Sequence, residues 1–185
     1  MEHKRCAWVK KGDAVYEAYH DNEWGKPLYD DHALFELLCL ETQSAGLSWL
    51  MVLKKREDYR KAFANFELSK VMRFTDEDVE RILSEENVIR NRAKIQSVIA
   101  NAKACHAIIL EFGSFSTYLW RYVQNTPLVN DIPSIKMLPS TSSISDKLTR
   151  DLKKRGFKFV GSTTIYAYMQ ACGMVNDHEN ECECK

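Results

Sequence analysis

The segment Asp31-His-Ala-Leu-Phe-Glu-Leu-Leu-Cys-Leu-Glu-Thr-Gln43 has the period of an amphipathic helix. Its residues Leu34, Leu37 and Leu38 are spaced by three and four positions, which places them on one helical face. Glu41 continues the same stripe. A carboxylate buried in a core costs several kcal/mol unless it is paired, protonated or used. Glu41 therefore pairs with an arginine, caps a neighbouring helix or binds a ligand.

Aromatic residues flank this segment on both sides. They are Trp8, Tyr16, Tyr19, Trp24 and Trp49. An acid among aromatic rings suits a flat, cationic ligand, because both the carboxylate and the ring faces attract positive charge. From this stretch alone, the ligand-binding and the structural interpretations of Glu41 both stay open.

Most of the remaining chain also has helical periodicity. Helices are predicted over 47–63, 75–83, 114–123, 145–154 and 162–172. The clearest stripe marks one long helix that Gly113 ends, and its members are Ile95, Val98, Ile99, Ala102, His106, Ile109 and Leu110. Segment 125–143 holds three of the four prolines and is predicted to be loop. Because no repeat and no alternating strand is found, we expect an all-α protein.

Composition narrows the function classes. The 185 residues contain 26 basic and 26 acidic side chains, so no overall field attracts nucleic acid, and a polyanion needs a local basic patch. The N-terminus lacks the apolar region of a signal peptide, and the longest apolar stretch is too short to span a bilayer. We therefore expect a cytoplasmic, monomeric protein without a membrane partner, folded as a single domain over 1–185.

Cysteine and histidine are concentrated at the two ends, within 1–25 and 172–185. Cys6 and His20 lie near the start, and His178-x-x-x-Cys182 lies near the end. Two thiolates and two imidazoles suit a closed, tetrahedral, structural zinc site, which would tie the termini together. Cys184 is a competing ligand. The other candidates are interpreted as core residues, and these are Cys39, Cys105, His106 and Cys172.

The segment Leu148-Thr-Arg-Asp-Leu-Lys-Lys-Arg-Gly-Phe-Lys-Phe-Val-Gly-Ser-Thr-Thr164 places two glycines between two predicted helices. Glycines let backbone N–H groups approach a phosphate, and the second helix offers its positive N-terminus. This hairpin, within about 145–172, is a candidate DNA contact through Lys153, Lys154, Arg155, Gly156, Lys158 and Gly161. The alternative is an ordinary helix pair with a solvated basic turn.

Further basic residues lie on two other segments. One segment follows Trp49 and holds Lys54, Lys55, Arg56, Arg60 and Lys61, and the other holds Arg90, Arg92 and Lys94. Acidic residues interleave with some of them, so part of this charge is interpreted as solvated surface. The sequence contains no glycine-rich phosphate loop, Gly-x-Ser-x-Gly elbow or His-Glu-x-x-His helix.

Together these features resemble the type I 3-methyladenine DNA glycosylases of the helix–hairpin–helix superfamily. The segments that carry the resemblance are Arg5-Cys-Ala-Trp8, Tyr16-Glu-Ala-Tyr-His-Asp-Asn-Glu-Trp-Gly25, Leu34-Phe-Glu-x-x-Cys-Leu-Glu41, Gln43-x-Ala-Gly-Leu-Ser-Trp49, Leu53-Lys-Lys-Arg-Glu57, Ile89-Arg-Asn-Arg-x-Lys-Ile-Gln96, Leu152-Lys-Lys-Arg-Gly-Phe-Lys-Phe-Val-Gly161 and Met169-Gln-Ala-Cys-Gly-x-Val-Asn-Asp-His178. They span nearly the whole chain in the same order.

The resemblance implies a helix–hairpin–helix fold and an enzyme of base-excision repair. It would bind alkylated double-stranded DNA and release 3-methyladenine by hydrolysing its N-glycosidic bond. Because a cationic base is already a good leaving group, we hypothesise that Glu41, the candidate catalytic residue, acts chiefly in recognition and electrostatics. Tyr19 and Glu41 would hydrogen-bond the base, Trp49 would stack on it, and the implied pocket lining is Trp8, Tyr16 and Trp24.

The resemblance also implies one structural zinc ion at the positions of Cys6, His20, His178 and Cys182, which favours Cys182 over Cys184. The acidic tail, with Glu179, Glu181 and Glu183, departs from the family pattern. No lysine is placed as a Schiff-base nucleophile, so a monofunctional enzyme that leaves an abasic site is expected. Asp177 is the only acid near the end of the hairpin's second helix, and we assign it no role.

Two rival interpretations have different consequences. A non-enzymatic, zinc-stabilised DNA- or protein-binding module would need the metal and the hairpin but no buried acid. A hydrolytic zinc enzyme would need an open coordination position, whereas four good ligands are visible here.

Overall fold

The computed structural model describes residues 4–185, and within them the chain is mainly helical. The α-helices are α1 (Ala14–Asn22), α2 (Asp31–Ser44), α3 (Trp49–Lys54), α4 (Arg56–Ala62), α5 (Leu68–Val71), α6 (Asp76–Ser84), α7 (Arg92–Phe112), α8 (Phe115–Trp120), α9 (Ser143–Lys154) and α10 (Ser162–Ala171). No helix in this range has the length and apolarity to cross a membrane. The predicted all-α class is confirmed.

Helix α2 lies at the centre of the fold and packs against α3, α7, α8 and α10. Asp30 begins it, because its side chain accepts a hydrogen bond from the Ala33 N–H. Every residue from Leu34 to Gln43 is buried, so α2 is enclosed on all sides. The one-sided stripe predicted for this segment is therefore incomplete, since neighbouring helices also cover its polar face.

The C-terminal end of α2 is held by a buried lysine from α7. Lys94 Nζ donates to the carbonyl oxygens of Gln43 and Ala45 at 2.8 and 2.7 Å. In return, the Gln43 side chain donates to the Lys94 carbonyl at 3.0 Å. Lys94 is thus not part of a solvated basic surface, as its segment suggested. A cation at this position satisfies carbonyls that the helix itself leaves without donors.

Two helices differ from the sequence prediction. Segment 47–63 is not one helix, because Lys55 adopts φ −98° and ψ 5° and separates α3 from α4. This break allows both Val52 in α3 and Tyr59 in α4 to reach the core. Helix α1 was not predicted, since its buried residues Tyr19 and His20 form no aliphatic stripe.

Long helix α7 follows its predicted stripe only over the first turns. Ile95, Val98 and Ala102 are buried, and Gly113 ends the helix at φ +84° as expected. Towards the C-terminus, the buried face drifts to Cys105 and Ile108, so His106 is only half-buried. The interpretation of His106 as a core residue is wrong, and the continuation of the stripe to the exposed Leu110 is also wrong. The three predicted core thiols are buried, and these are Cys39, Cys105 and Cys172.

The proline-containing segment 125–143 is mostly irregular, as predicted. It contributes β1 (Leu128–Val129), which pairs in parallel with β2 (Val175–Asn176) and was not predicted because each strand has two residues. The Asn180 N–H then donates to the Ile132 carbonyl at 2.9 Å. These bonds hold the C-terminal tail against the loop, while the Gly25 N–H bonds the Gln170 carbonyl at 2.9 Å.

Helices α9 and α10 pack against each other and are joined by a tight turn over residues 155–161. Gly156 adopts φ +96°, a conformation that L side chains rarely take. Phe157 and Val160 anchor the turn in the core. Buried Asn101 of α7 accepts from the Lys158 N–H at 2.7 Å and donates to the Lys158 carbonyl at 3.2 Å. The position of the hairpin relative to α7 is therefore fixed.

Candidate active site and metal centre

A cavity of about 180 Å³ opens between α1, α2, α3 and α10. Its lining consists of Trp8, Tyr16, Tyr19, Trp24, Glu41, Trp49, Leu138, Ala167 and Gln170. The structure thus brings together all six residues that were predicted to bind a base. Leu138, Ala167 and Gln170 were missed, because ordinary residue types in a loop and on α10 give no sequence signal.

Aromatic rings form most of the cavity wall. The Tyr19 and Trp49 ring centroids are 5.4 Å apart, and Trp8 lies 4.9 Å from Tyr16 and 5.0 Å from Trp24. Within residues 4–185, the indole N–H groups of Trp8 and Trp49 are buried without a hydrogen-bond partner. Buried donors of this kind cost free energy, so the site is better satisfied with a ligand that accepts from them.

Among the described residues, Glu41 is the only acid that lines this cavity, and it is 5% exposed. Neither a cationic partner nor a helix cap is found for it in the part of the chain that the structure describes. Within residues 4–185, its carboxylate has one polar neighbour, the Ser44 hydroxyl at 3.5 Å from Oε2, and this hydroxyl also donates to the Glu41 carbonyl at 2.8 Å. Burial raises the pKa of Glu41 to about 8, and the Ser44 hydrogen bond opposes this only partly. Both structural explanations of the buried acid are therefore unsupported.

Glu36, on the same helix, provides the contrast. It is 7% exposed, but Arg60 binds its two carboxylate oxygens through Nε and Nη2 at 2.6–3.1 Å. Such a two-pronged contact compensates a buried charge. Helix α2 therefore carries one buried acid that is paired and one that is not, and only the unpaired acid faces the aromatic cavity.

A second cavity of about 240 Å³ lies on the other side of Tyr19. Its acids are Glu23 and Glu36, which form ion pairs with Arg56 and Arg60. Although it is larger, this cavity lacks an unpaired carboxylate and a stack of rings. The smaller aromatic cavity is therefore the candidate active site.

The termini meet beside this cavity in a cluster of metal-binding side chains. One ligand atom each from His20, His178, Cys182 and Cys184 lies within 4.8 Å of the others. Cys6 was also predicted as a ligand. It does not belong to this group of four but is buried next to it. Its Sγ accepts from the Glu179 N–H at 3.3 Å, and its own N–H lies 3.4 Å from His20 Nε2. Three of the four predicted ligands thus share the cluster with Cys184, and Cys6 adjoins it.

Both imidazoles have the orientation that metal ligands require. His20 Nδ1 lies 2.8 Å from Asp21 Oδ1, and His178 Nδ1 lies 2.8 Å from Asn176 Oδ1. Each Nδ1 therefore carries the proton, and each Nε2 presents a lone pair to the cluster. Among the described residues, the buried His178 Nε2 has no hydrogen-bond partner. Burial lowers the pKa of His178 to about 4, so the ring is neutral. Neutral imidazoles and thiols fit a zinc ion.

The cluster and the cavity share a wall. Trp24 packs on His178 with ring centroids 4.7 Å apart, and Trp8 packs on His20 at 5.3 Å. Gly25 leaves room for this contact, since a Cβ there would lie 2.6 Å from His178 Cε1. A change in the cluster would therefore move two aromatic residues of the candidate active site.

Comparison with known proteins assigns the chain to a family. The family model for methyladenine glycosylases matches residues 8–185. The chain belongs to the methyladenine glycosylase family. It is 46% identical to the DNA-3-methyladenine glycosylase of Haemophilus influenzae and 49% identical to DNA-3-methyladenine glycosylase 1 of Escherichia coli K12. Each match covers 98% of this chain and at least 96% of the relative.

Solved structures of methyladenine glycosylases have the same fold. A crystal structure of 3-methyladenine DNA glycosylase I is 49% identical, with a TM-score of 0.95, over 98% of this chain and 99% of that one. The enzyme from Staphylococcus aureus, whose structure addresses 3-methyladenine recognition, is 40% identical with a TM-score of 0.95, over 98% of this chain and 96% of that one. The chain therefore has the mainly helical fold of the methyladenine glycosylases, as the resemblance implied.

The predicted DNA-contact residues of this methyladenine glycosylase lie at the end of α9 and on the α9–α10 turn, but they differ in their surroundings. Lys153, Lys154 and Lys158 are exposed. Arg155 forms a double ion pair with Glu111, with its Nη1 and Nη2 at 2.6 and 3.0 Å from the two carboxylate oxygens. The space around Gly161 Cα is open, at the start of α10.

In this family member, Asp177 takes part in hydrogen bonds that stabilise the fold. It is buried and accepts hydrogen bonds from Tyr166, Gln170 and Asn130 at 2.7–2.8 Å. These donors join α10 to segment 125–143 and to the C-terminal tail. The carboxylate is therefore saturated by contacts that stabilise the fold, in agreement with leaving it without a catalytic role.

Proposed function

We propose that this chain excises 3-methyladenine from alkylated double-stranded DNA as part of base-excision repair. Membership of the methyladenine glycosylase family makes it a DNA glycosylase, a hydrolase of N-glycosyl bonds. The observation that carries the proposal for this chain is the unpaired, buried Glu41 in an aromatic cavity. Release of the free base would leave an abasic site.

Selectivity would follow from charge. The base must leave the helix, at a cost of a few kcal/mol, because its glycosidic bond is shielded in the stack. Stacking on Trp49 returns roughly 1–3 kcal/mol. Methylation at N3 gives the base in DNA a positive charge, and a cation over an indole in a desolvated site gains about 2 kcal/mol. Neutral adenine forfeits that gain and the attraction of Glu41.

The proposed residue roles are those that the resemblance implies, and the position of all six residues in one cavity supports them. Trp49 stacks on the base, Tyr19 and Glu41 hydrogen-bond it, and Trp8, Tyr16 and Trp24 complete the lining. A cationic base is already a good leaving group, so Glu41 acts by stabilising positive charge and is not required as a strong base. The described lining contains no lysine, which supports a monofunctional glycosylase without a Schiff-base step.

DNA would be held by the α9–α10 turn. The N–H groups at the start of α10, around Gly161, would face a phosphate, while Lys153, Lys154 and Lys158 add positive charge. Gly156 stays a predicted contact, although its own N–H bonds the Lys153 carbonyl at 3.1 Å. Arg155 stays a predicted contact, although its pairing with Glu111 reduces its charge locally. The overall charge of zero makes this local patch necessary.

One structural zinc ion is the proposed cofactor. His20, His178 and Cys182 would hold it, with Cys6 or Cys184 as the fourth ligand. Such a metal supplies no chemistry to the reaction and ties the N- and C-terminal segments together. We also propose that the chain is a single domain over 1–185 and acts as a monomer.

Base release from methylated duplex DNA tests the function. Wild-type protein is expected to release 3-methyladenine and to leave 7-methylguanine in place, as measured by chromatography of the free bases. Glu41→Gln should lose most of this activity, because a bound cationic base lowers the pKa of Glu41 and is attracted by the carboxylate that forms, which glutamine cannot supply. Glu36→Gln is the matched control, since it neutralises a buried acid of the same helix outside the cavity.

The outcomes separate the interpretations. Equal release by wild type and Glu41→Gln would keep the enzyme but refute the role of Glu41. If folded, metal-loaded wild type releases no base, the glycosylase proposal fails and a binding module takes its place.

A further inference from the structure

A basic groove lies along α9, away from the aromatic cavity. It has a volume of about 720 Å³, and its lining is Arg121, Tyr122, Gln124, Ser143, Ile144, Lys147, Arg150 and Asp151. Three of these side chains are cationic and one is acidic. The carboxylate of Asp151 accepts from the Tyr122 hydroxyl. The groove therefore has a surplus of positive charge.

The cations of the groove are available to an external anion. Lys147 and Arg150 are exposed, and neither forms an ion pair with any residue of the described range 4–185. Arg121 lies against three rings, with its guanidinium carbon 4.5 Å from the Phe112 and Tyr118 centroids. Lys147 Nζ lies 5.8 Å from the Tyr122 centroid. Aromatic faces thus position these cations without neutralising them.

The groove is continuous with the α9–α10 turn. Lys147, Arg150 and Lys154 follow one another at spacings of three and four, so they lie on one face of α9. The opposite face is buried through Leu148 and Leu152. From position 147 to 154 the helix rises about 10 Å, which matches about three nucleotide steps of 3.4 Å along one DNA strand. Arg155 stacks on the same Phe112 and Tyr118 rings as Arg121.

We infer that this groove binds the sugar–phosphate backbone of DNA beyond the nucleotides that the α9–α10 turn contacts. The inference rests on the proposed function, because it takes the turn as a DNA contact. A row of cations that form no ion pairs within residues 4–185, at intervals of about 5 Å along the helix, suits a regular polyanion. Such contacts carry no sequence information, but they lengthen the footprint and raise affinity for long duplexes.

Salt dependence of DNA binding tests the groove. The double variant Lys147→Ala, Arg150→Ala is compared with wild type on a duplex that holds an abasic-site analogue. A long version continues for a full helical turn on both sides of the site, and a short version ends close to it. On the long duplex, the slope of log K against log salt should decrease by about 2, since each phosphate contact contributes roughly 0.9. On the short duplex, the slopes should agree.

A charge-matched control is the double variant Lys61→Ala, Lys103→Ala, which removes two exposed lysines outside the groove. It should keep the wild-type slope. Unchanged slopes for the groove variant on both duplexes would overturn the inference and leave an acidic protein as the occupant to test. An equal change in the control would also overturn it, because the effect would then reflect net charge.

Excision is measured separately with all three proteins under saturating, single-turnover conditions. The groove variant should release 3-methyladenine at the wild-type rate, because neither altered residue lines the aromatic cavity. If wild type releases no base, the proposed function fails. The inference about the groove depends only on the salt slopes of DNA binding.

Discussion

At the residue scale, the contrast between two acids of α2 separates structure from function. Glu36 and Glu41 are about equally buried, but Arg60 holds Glu36, whereas Glu41 has only the Ser44 hydroxyl. An uncompensated buried carboxylate lowers stability, and proteins keep such a cost where the site uses it. In the free protein, burial favours the protonated form of Glu41, whereas a bound cation would lower its pKa and favour the carboxylate.

The pH dependence of stability should show this cost. The pKa of Glu41 is about 8 in the folded protein and about 4.3 when unfolded, so between these pH values the folded state binds more protons. The contribution of protonated Glu41 to the free energy of unfolding is fully present below about pH 4.3, and it is lost as the pH rises towards 8. Each pKa unit corresponds to about 1.4 kcal/mol. Over this pH range, the free energy of unfolding of wild type should therefore fall by on the order of 5 kcal/mol relative to that of Glu41→Gln.

Urea unfolding of wild type and Glu41→Gln at pH 5 and pH 8 measures the effect. Taking the difference between the two proteins cancels the titration of all other groups. Glu36→Gln should instead lower the free energy of unfolding at both pH values. It removes the carboxylate that pairs with the partly buried Arg60. Parallel pH profiles of wild type and Glu41→Gln would show that the carboxylate is compensated.

At the element scale, the end of α2 determines where two of the proposed base-binding residues lie. Glu41 occupies the last turn of α2, and Trp49 begins α3 only a few residues later. Lys94 of α7 fixes this junction through the Gln43 and Ala45 carbonyls. Because Lys94 is buried, the contact is made at the expense of desolvating an ammonium group, which lowers the pKa of Lys94.

Lys94→Met should therefore damage the site without touching it. The two carbonyls lose their donor, which costs roughly 1–3 kcal/mol each when they stay buried. Loosening of the junction displaces Glu41 relative to Trp49, so affinity for free 3-methyladenine, measured by calorimetry, should fall more than affinity for DNA. Lys103→Met, at an exposed position of the same helix, is the control. Unchanged base affinity in a destabilised Lys94→Met would limit Lys94 to a stabilising role.

At the scale of the whole molecule, sequence patterns predict elements better than their junctions. The aliphatic stripes of α2 and α7 follow from local periodicity, and the aromatic residues of the cavity follow from the resemblance. The break at Lys55 and the burial of Lys94 depend on which helices surround α2, which no local pattern records. Glu36 pairs with Arg60 across two helices, so its partner was equally hidden.

The metal cluster at the two termini could also be predicted only in part from the sequence. Their cysteines and histidines indicate a metal site, but the proximity of Cys184 to the cluster depends on how the last residues fold back. The α1 helix, which supplies Tyr19 and His20, lacks an aliphatic stripe because one of its faces serves the cavity and the other the cluster. The polar and aromatic side chains at these positions therefore leave no aliphatic period from which the helix could have been predicted.

Removal of the metal should then affect the entire molecule. A strong chelator is expected to lower the melting temperature and to weaken 3-methyladenine binding together, because Trp8 and Trp24 rest on His20 and His178. Metal analysis should give one zinc per chain, and zinc added back should restore both properties. Cys182→Ser should lose the metal, whereas Cys105→Ala, a buried thiol outside the cluster, should retain it. A metal-free preparation with wild-type melting and base affinity would contradict this coupling and leave the aromatic wall supported by packing alone.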